Sequence, residues 1–201
     1  EKDFLLEQIR HKLEQGFRIL KLKVGALDFD IEAEVLRRIR SEFFGPDLEI
    51  RLDANGAWSP EEAPERLDLL SVYDIHSIEQ PIRAGQPEAM AAICRNVPIP
   101  VALDEELLGV PARQRQALLE GIRPAYLILK PGLLGGFSAA EEWIRLAEEQ
   151  GTGWWITSAL ESNVGLNAIA QWTAQLDPEL PQGLGTGSLY ENNVPSPLEM
   201  E

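Results

Sequence analysis

The sequence predicts an α/β fold with parallel strands, because short apolar runs alternate with amphipathic helical stretches along the whole chain. Seven strand-like runs can be counted, and they are FRILKLKVG, LEIRLDANG, IHSIEQPI, IPVALDE, AYLILKP, GWWITSAL and, more weakly, LPQGLGTG. Seven helical patterns accompany them, and the first, residues 1–15, precedes the first strand. This alternation fits either a doubly wound sheet or a (β/α)8 TIM-type barrel that lacks its first strand.

Three of the predicted helices carry recognisable patterns or boundary signals. The stretch DIEAEVLRRIRSEF has apolar residues at helical spacing. SPEEAPERLDLLSVY opens with Ser59 as a candidate N-cap and has Pro60 at the first helical position. GFSAAEEWIRLAEEQG ends at Gly151, a candidate C-cap. These helices fall between strand-like runs, as the crossover connections of parallel strands require.

Size and charge limit the class of protein. A chain of 201 residues with 44% hydrophobic residues is expected to form one domain, residues 1–201. The net charge of −15 argues against nucleic acid or an anionic membrane as a partner. The single cysteine, Cys94, excludes an internal disulfide framework. No apolar run approaches the roughly 18 residues of a membrane span, and the charged first residues do not resemble a signal peptide, so a cytoplasmic protein is expected.

Charged residues follow the predicted strands at regular intervals. They are Lys23, Asp53, Glu79, Asp104 and Lys130, and the successive intervals are 30, 26, 25 and 26 residues. Each interval corresponds to one strand and one helix, so these residues come from successive strands. In a barrel the C-terminal ends of the strands converge on the mouth where active sites lie. The spacing therefore favours a barrel with a site built from these residues.

The chemistry of this set indicates a metal-assisted reaction. Three carboxylates that converge repel one another unless a cation lies between them, and carboxylate oxygens suit Mg²⁺. Lys21 and Lys23 lie on one face of the first strand, and two ammonium groups beside a cation are expected to have lowered pKa values. Such a lysine serves as a base near neutral pH. Lys130 follows a strand four βα units further along the chain, so it would lie on the opposite wall of an eight-stranded barrel.

Several motifs resemble the enolase superfamily in its muconate lactonizing enzyme subgroup. They are KLKVG, LDANGAW, IEQPI, ALDEE and LKPGLLGG, and they cover nearly the whole chain. WITSALESNVGLNAIAQW and PQGLGTG are most similar to the o-succinylbenzoate synthase branch of that superfamily. The resemblance implies that Asp53, Glu79 and Asp104 bind Mg²⁺, that Lys23 is the catalytic base, and that Lys130 is the lysine on the opposite face.

The resemblance also implies a reaction and a substrate site. The expected reaction is syn-dehydration of 2-succinyl-6-hydroxy-2,4-cyclohexadiene-1-carboxylate to o-succinylbenzoate, a step of menaquinone biosynthesis, with Mg²⁺ or, as a substitute, Mn²⁺. Lys23 would remove the proton α to the carboxylate and return it to the leaving hydroxyl, and Lys130 would act as a cation. The candidate substrate-binding residues are Lys21, Asn55, Ser158, Glu161, Gly185 and Thr186.

Two other functions remain open from the sequence. The same lysine pair suits racemisation of N-acylamino acids or epimerisation of dipeptides, although dipeptide epimerases typically carry Asp-x-Asp where this chain reads GLGTG. A non-catalytic barrel fragment is the alternative from another class, because the family's N-terminal α+β capping domain is absent from this sequence and is expected upstream. The expected partner is a small-molecule carboxylate, and the oligomeric state is left open.

Overall fold

The computed structural model describes residues 2–185 and 190–194. The chain divides into two compact units, with the boundary between Glu106 and Leu107. Both units repeat the alternation of strand and helix that the sequence predicts. Among the described residues, no helix combines the length and the apolar character that crossing a membrane requires.

The first unit contains four parallel strands in chain order with helices between them. Its strands are β1 (Ile19–Lys23), β2 (Glu49–Asp53), β3 (Ile75–Glu79) and β4 (Val101–Leu103), and its helices are α1 (Lys2–Glu14), α2 (Phe29–Glu42), α3 (Glu62–Leu70) and α4 (Pro87–Asn96). Short 3₁₀ turns span Ser71–Tyr73 and Glu105–Leu107.

The strand register aligns charged residues at the strand ends of the first unit. Lys23 pairs with Asp53 across β1 and β2, and Asp53 pairs with Glu79 across β2 and β3. Glu79 pairs with Ala102 on β4. Parallel strands with connecting helices place all their C-terminal ends at one edge, so these charged side chains share that edge.

Local signals in the sequence explain where the helices of the first unit begin. The Asp28 side chain accepts a hydrogen bond from the amide of Asp30 and caps α2. Ser59 and Glu62 form the reciprocal bonds of a capping box, with Ser59 Oγ 3.2 Å from the Glu62 nitrogen and Glu62 Oε2 3.0 Å from the Ser59 nitrogen. The predicted cap at Ser59 is therefore confirmed, although α3 itself begins at Glu62 rather than at Pro60.

The second unit contains two strands that pair in parallel. Its elements are α5 (Ala112–Ile122), β5 (Tyr126–Leu129), α6 (Pro131–Leu134), α7 (Phe137–Glu149), β6 (Gly153–Ile156) and α8 (Asn163–Gln175). Gly151 follows α7 with a φ of 68°, the left-handed conformation of a helix C-terminus, which confirms the predicted C-cap region. Trp143 of α7 is fully buried and anchors this helix in the core.

Six of the seven strand-like runs form strands, and the described part of the weakest run does not. Within the described part of the chain, LPQGLGTG contributes one isolated parallel bridge between Thr157 and Gly183. This run contains three glycines and a proline, which disfavour a continuous strand.

Candidate active site

Three buried carboxylates lie at the strand ends of the first unit. Asp53 closes β2, Glu79 closes β3 and Asp104 directly follows β4. Their exposed fractions are 0%, 2% and 2%, so none of them faces outward. Burial of ionised carboxylates is costly unless positive charge or hydrogen-bond donors compensate. The cluster therefore requires cations, and two lysines of β1 supply part of this charge.

Lys21 bridges two of these carboxylates. Its Nζ lies 2.7 Å from Asp53 Oδ2 and 2.7 Å from Glu79 Oε2. Although burial opposes the charged form, the carboxylates of Glu79 and Asp53 raise the pKa of Lys21. The lowered pKa expected from the sequence applies beside a bound cation, whereas in this arrangement the ammonium group contacts two acids. Lys21 in this arrangement is a charged partner of the cluster.

Lys23 lies further toward solvent than Lys21. Its side chain is 61% exposed, compared with 36% for Lys21. Its Nζ lies 2.5 Å from Asp53 Oδ2 and 2.5 Å from Asn55 Oδ1. A base must reach its substrate, so the exposed amine of Lys23 is better placed for proton transfer than the amine of Lys21.

The carboxylates differ in their electrostatic environment. Burial raises the pKa of Glu79 to about 8, and the charge of Asp53 adds to this effect while Lys21 opposes it. For Asp53, burial acts in the same direction, but the ammonium groups of Lys21 and Lys23 outweigh it and lower the pKa. The pKa values of these two carboxylates therefore differ in direction, because Asp53 contacts two ammonium groups and Glu79 contacts one.

The donor set fits a hard divalent cation. Three buried carboxylates from adjacent strand ends provide the oxygen ligands that Mg²⁺ prefers, and the raised pKa of Glu79 marks a place short of positive charge. Among the described residues, however, no group of three or more His, Cys, Asp or Glu side chains is arranged as a finished metal site. The ammonium group of Lys21 contacts both Asp53 and Glu79, so it supplies positive charge between two of the three candidate ligands.

A network behind the carboxylates was not predicted from the sequence. Gln80 is fully buried, and its Oε1 accepts hydrogen bonds from the amides of Asp104 and Glu106, both at 3.2 Å. Its Nε2 donates to the Ile82 carbonyl at 2.9 Å. The Glu106 carboxylate then accepts from the amide of Gly85 at 3.1 Å. These bonds join the loop after β3 to the loop after β4, and so they orient the backbone of the candidate ligand Asp104.

A second supporting residue shapes the loop after Lys23. The buried carboxylate of Glu32 accepts hydrogen bonds from the amides of Gly25, Ala26 and Leu27 at 2.7–3.1 Å. Gly25 has a φ of 90°, and a Cβ there would lie 2.5 Å from the Ala57 Cβ. Only glycine fits this turn. The available sequence signal was an acid in the first turn of α2 together with a glycine shortly after β1.

The remaining predicted residues are placed as follows. Lys130 lies directly after β5 and immediately before α6. Ser158 is buried two residues beyond β6. Glu161 Oε2 accepts from the Ala159 amide at 2.6 Å, so this acid braces its own loop, and α8 has Ser162 at its N-cap position. Gly185 is exposed in a turn, and Thr186 lies outside the described residues.

The chain belongs to the enolase C-terminal domain-like family, whose model matches residues 5–201. It is 60% identical over 201 residues to the o-succinylbenzoate synthase of Desulfotalea psychrophila (strain LSv54), covering 100% of this chain and 55% of that protein. The crystal structure of MenC from Desulfotalea psychrophila LSv54 matches with a TM-score of 0.96 and 59% identity over 100% of this chain and 56% of that one. The chain thus spans about half the length of these relatives.

Structural similarity extends to a more distant enzyme. The muconate lactonizing enzyme of Pseudomonas putida matches with a TM-score of 0.86 at 24% identity, over 96% of this chain and 54% of that one. This match concerns the fold alone. Together the structural matches confirm the predicted fold class, an α/β fold that corresponds to part of an enolase-type barrel.

Proposed function

We propose that this chain carries the catalytic half of an o-succinylbenzoate synthase. The reaction would be the Mg²⁺-dependent syn-dehydration of 2-succinyl-6-hydroxy-2,4-cyclohexadiene-1-carboxylate, a step of menaquinone biosynthesis. Identity of 60% over the whole chain to a protein of that name supports the assignment. The single observation that carries the mechanism is the exposed amine of Lys23, which contacts Asp53, one of the three buried carboxylates.

Asp53, Glu79 and Asp104 would hold the Mg²⁺ ion. When bound, the ion supplies positive charge beside the substrate carboxylate, where negative charge develops as the α-proton leaves. The chain's own residues keep this site dry and ordered, because the three acids are at most 2% exposed. Gln80 holds the backbone of Asp104, and Lys21 balances the charge of Asp53 and Glu79.

Lys23 would transfer the proton in both directions. The neutral amine takes the proton α to the carboxylate, the C–H electron pair moves toward the carboxylate, and the resulting ammonium gives its proton to the leaving hydroxyl. The C–O bond then breaks, and water leaves as the ring becomes aromatic. No oxidant or reductant is required. The short contacts of Lys23 with Asp53 and Asn55 keep the amine in place between the two transfers.

Lys130 would act as a positive charge near the intermediate rather than as an acid. Its place directly after β5 fits the C-terminal strand-end position at which barrel active-site residues occur. A cation that stays charged stabilises negative charge without exchanging a proton with the substrate.

The proposal is tested by measuring aromatic product formation with the purified protein, with and without Mg²⁺. Product formation that needs the metal supports the assignment. The second candidate function, racemisation of N-acylamino acids, is favoured by the presence of both Lys23 and Lys130 in the chain. It is measured in parallel as exchange of the α-proton in D₂O. Efficient racemisation without any dehydration would overturn the synthase assignment.

A further inference from the structure

We propose that Glu105 is a positioning residue that orients the side-chain amide of Asn55 and thereby aims the amine of Lys23. The inference rests on the proposed function, because it assigns a further role in the reaction of Lys23. All three residues belong to the first unit. The sequence alone does not single out Glu105, and the family resemblance predicts Asn55 as a substrate-binding residue.

Three contacts define the relay. Asn55 Nδ2 donates to Glu105 Oε1 at 3.0 Å, and Lys23 Nζ donates to Asn55 Oδ1 at 2.5 Å. The amide nitrogen of Asn55 donates to Asp53 Oδ1 at 2.9 Å. Asn55 has a φ of 45°, a left-handed conformation that asparagine tolerates better than most residues. The backbone and the side chain of Asn55 are therefore both held.

The chemistry of the partners determines which way the Asn55 amide faces. An ionised carboxylate only accepts hydrogen bonds, so Glu105 must face the amide nitrogen. The amide oxygen is then turned toward Lys23. Without an acceptor at position 105, rotation of the amide by half a turn would bring its NH₂ group toward the lysine instead.

The orientation of the Asn55 amide decides where the amine of Lys23 lies. Asp53 Oδ2 and Asn55 Oδ1 both accept a hydrogen bond from Lys23 Nζ, each at 2.5 Å, and the two contacts together fix the position of this nitrogen. A flipped Asn55 would present its NH₂ group to Nζ, which is itself a donor, so the second contact would be lost. Glu105 thus prevents the unproductive orientation.

A further feature of Glu105 fits this role. Its second oxygen, Oε2, is buried and accepts no hydrogen bond from the described residues. A buried acceptor without a donor destabilises a fold, so stability alone does not favour an acid here. A positioning role in the reaction explains why an acid stands at this position despite that loss of stability.

The first test compares variants at position 105 in the dehydration assay. Glu105→Gln keeps an oxygen that can accept from Asn55 and is expected to retain most activity. Glu105→Leu removes the acceptor and is expected to lower kcat roughly tenfold with little change in KM, the loss of about one hydrogen bond. Glu88→Gln, at an exposed acid of α4, is the control and should leave both constants unchanged. Equal activity of the Leu and Gln variants would overturn the proposal.

A rescue experiment tests the polarity of the relay itself. Asn55→Asp alone places a carboxylate at position 55 beside the carboxylate of Glu105. Because the two groups repel each other and neither donates a hydrogen bond, this variant is expected to have a lower kcat. Combining it with Glu105→Gln restores a hydrogen bond, because the glutamine NH₂ then donates while the new carboxylate still accepts from Lys23. The double variant should be more active than Asn55→Asp alone. A double variant as weak as the single one would contradict the relay.

A readout independent of the substrate separates this proposal from the proposed function. The chain has five lysines, Lys2, Lys12, Lys21, Lys23 and Lys130, so labelling by cyanate is readily mapped by mass spectrometry. Glu105→Leu should change the rate of carbamylation of Lys23 severalfold relative to Lys12, because the amine loses one of its two acceptor contacts, whereas Glu105→Gln should not. This result would support the relay even if the wild-type chain dehydrates nothing. Unchanged labelling of Lys23 in the Leu variant would overturn it.

Discussion

The side chain of Gln80 holds the backbone of Asp104, with Gln80 Oε1 3.2 Å from the Asp104 nitrogen. Gln80 directly follows Glu79 in the chain, so the neighbour of one candidate ligand orients another. Partners behind the ligands of a metal commonly change its affinity by about 10–100-fold. The position of Asp104 therefore depends on a residue that is not itself one of the three candidate ligands.

Replacing Gln80 tests this dependence. Gln80→Met keeps the length of the side chain but removes the buried acceptor, and it is expected to weaken Mg²⁺ binding about tenfold. Leaving the amides of Asp104 and Glu106 without a partner should lower the free energy of unfolding by about 1–3 kcal/mol. Calorimetric titration and denaturant unfolding measure the two effects. Gln114→Met, at an exposed position of α5, is the matched control. Normal Mg²⁺ affinity in Gln80→Met would contradict the role of this contact.

Lys23→Ala should abolish dehydration while Mg²⁺ still binds. Loss of a general base costs about 10²-fold or more in rate, and the three carboxylates remain in place. Turnover is measured by product formation, and metal binding is measured separately by calorimetry. Near-normal turnover in this variant would assign the base elsewhere, with Lys21 as the next candidate.

Lys130 distinguishes dehydration from racemisation. If it acts only through its charge, Lys130→Arg keeps that charge and should retain more dehydratase activity than Lys130→Ala. Racemisation of an N-acylamino acid needs proton exchange at both lysines and should be lost in both variants. The two rates are measured on the same protein samples. Equal loss of dehydration in the Arg and Ala variants would argue against a purely electrostatic role.

Cys94 should react slowly with alkylating agents in the folded protein. Burial raises the pKa of its thiol to about 12, so the reactive thiolate is scarcer at any given pH than in an unfolded chain. We expect iodoacetamide at pH 8 to react at least about 100-fold faster after unfolding in denaturant. The chain has no other cysteine, which makes the assay unambiguous. Rapid alkylation of the native protein would show that α4 does not protect this thiol.

The sequence predicted the strand-end residues well, because their spacing follows from the parallel α/β architecture. Lys23, Asp53, Glu79 and Asp104 stand at regular intervals, and the intervals themselves required no knowledge of side-chain positions. The contacts of Lys21 with both Asp53 and Glu79 were not predicted, since they depend on strand register and side-chain conformation.

The supporting network was not predictable from spacing. Gln80 has a φ of 40°, an uncommon conformation that turns its side chain toward the loop after β4. Glu32 binds three consecutive amides across a turn that depends on Gly25. Such contacts join loops whose conformations are set by the folded structure, so a single sequence carries little signal for them.

Calorimetric titration of this chain with Mg²⁺ tests the central claim most directly, because all three proposed ligands lie in its first unit. We expect saturable binding at one site per chain. Asp53→Asn should lower the affinity at least about tenfold, and Asp68→Asn, at an exposed position of α3, should leave it unchanged. Absence of binding, or an affinity that Asp53→Asn does not alter, would contradict the proposed metal site.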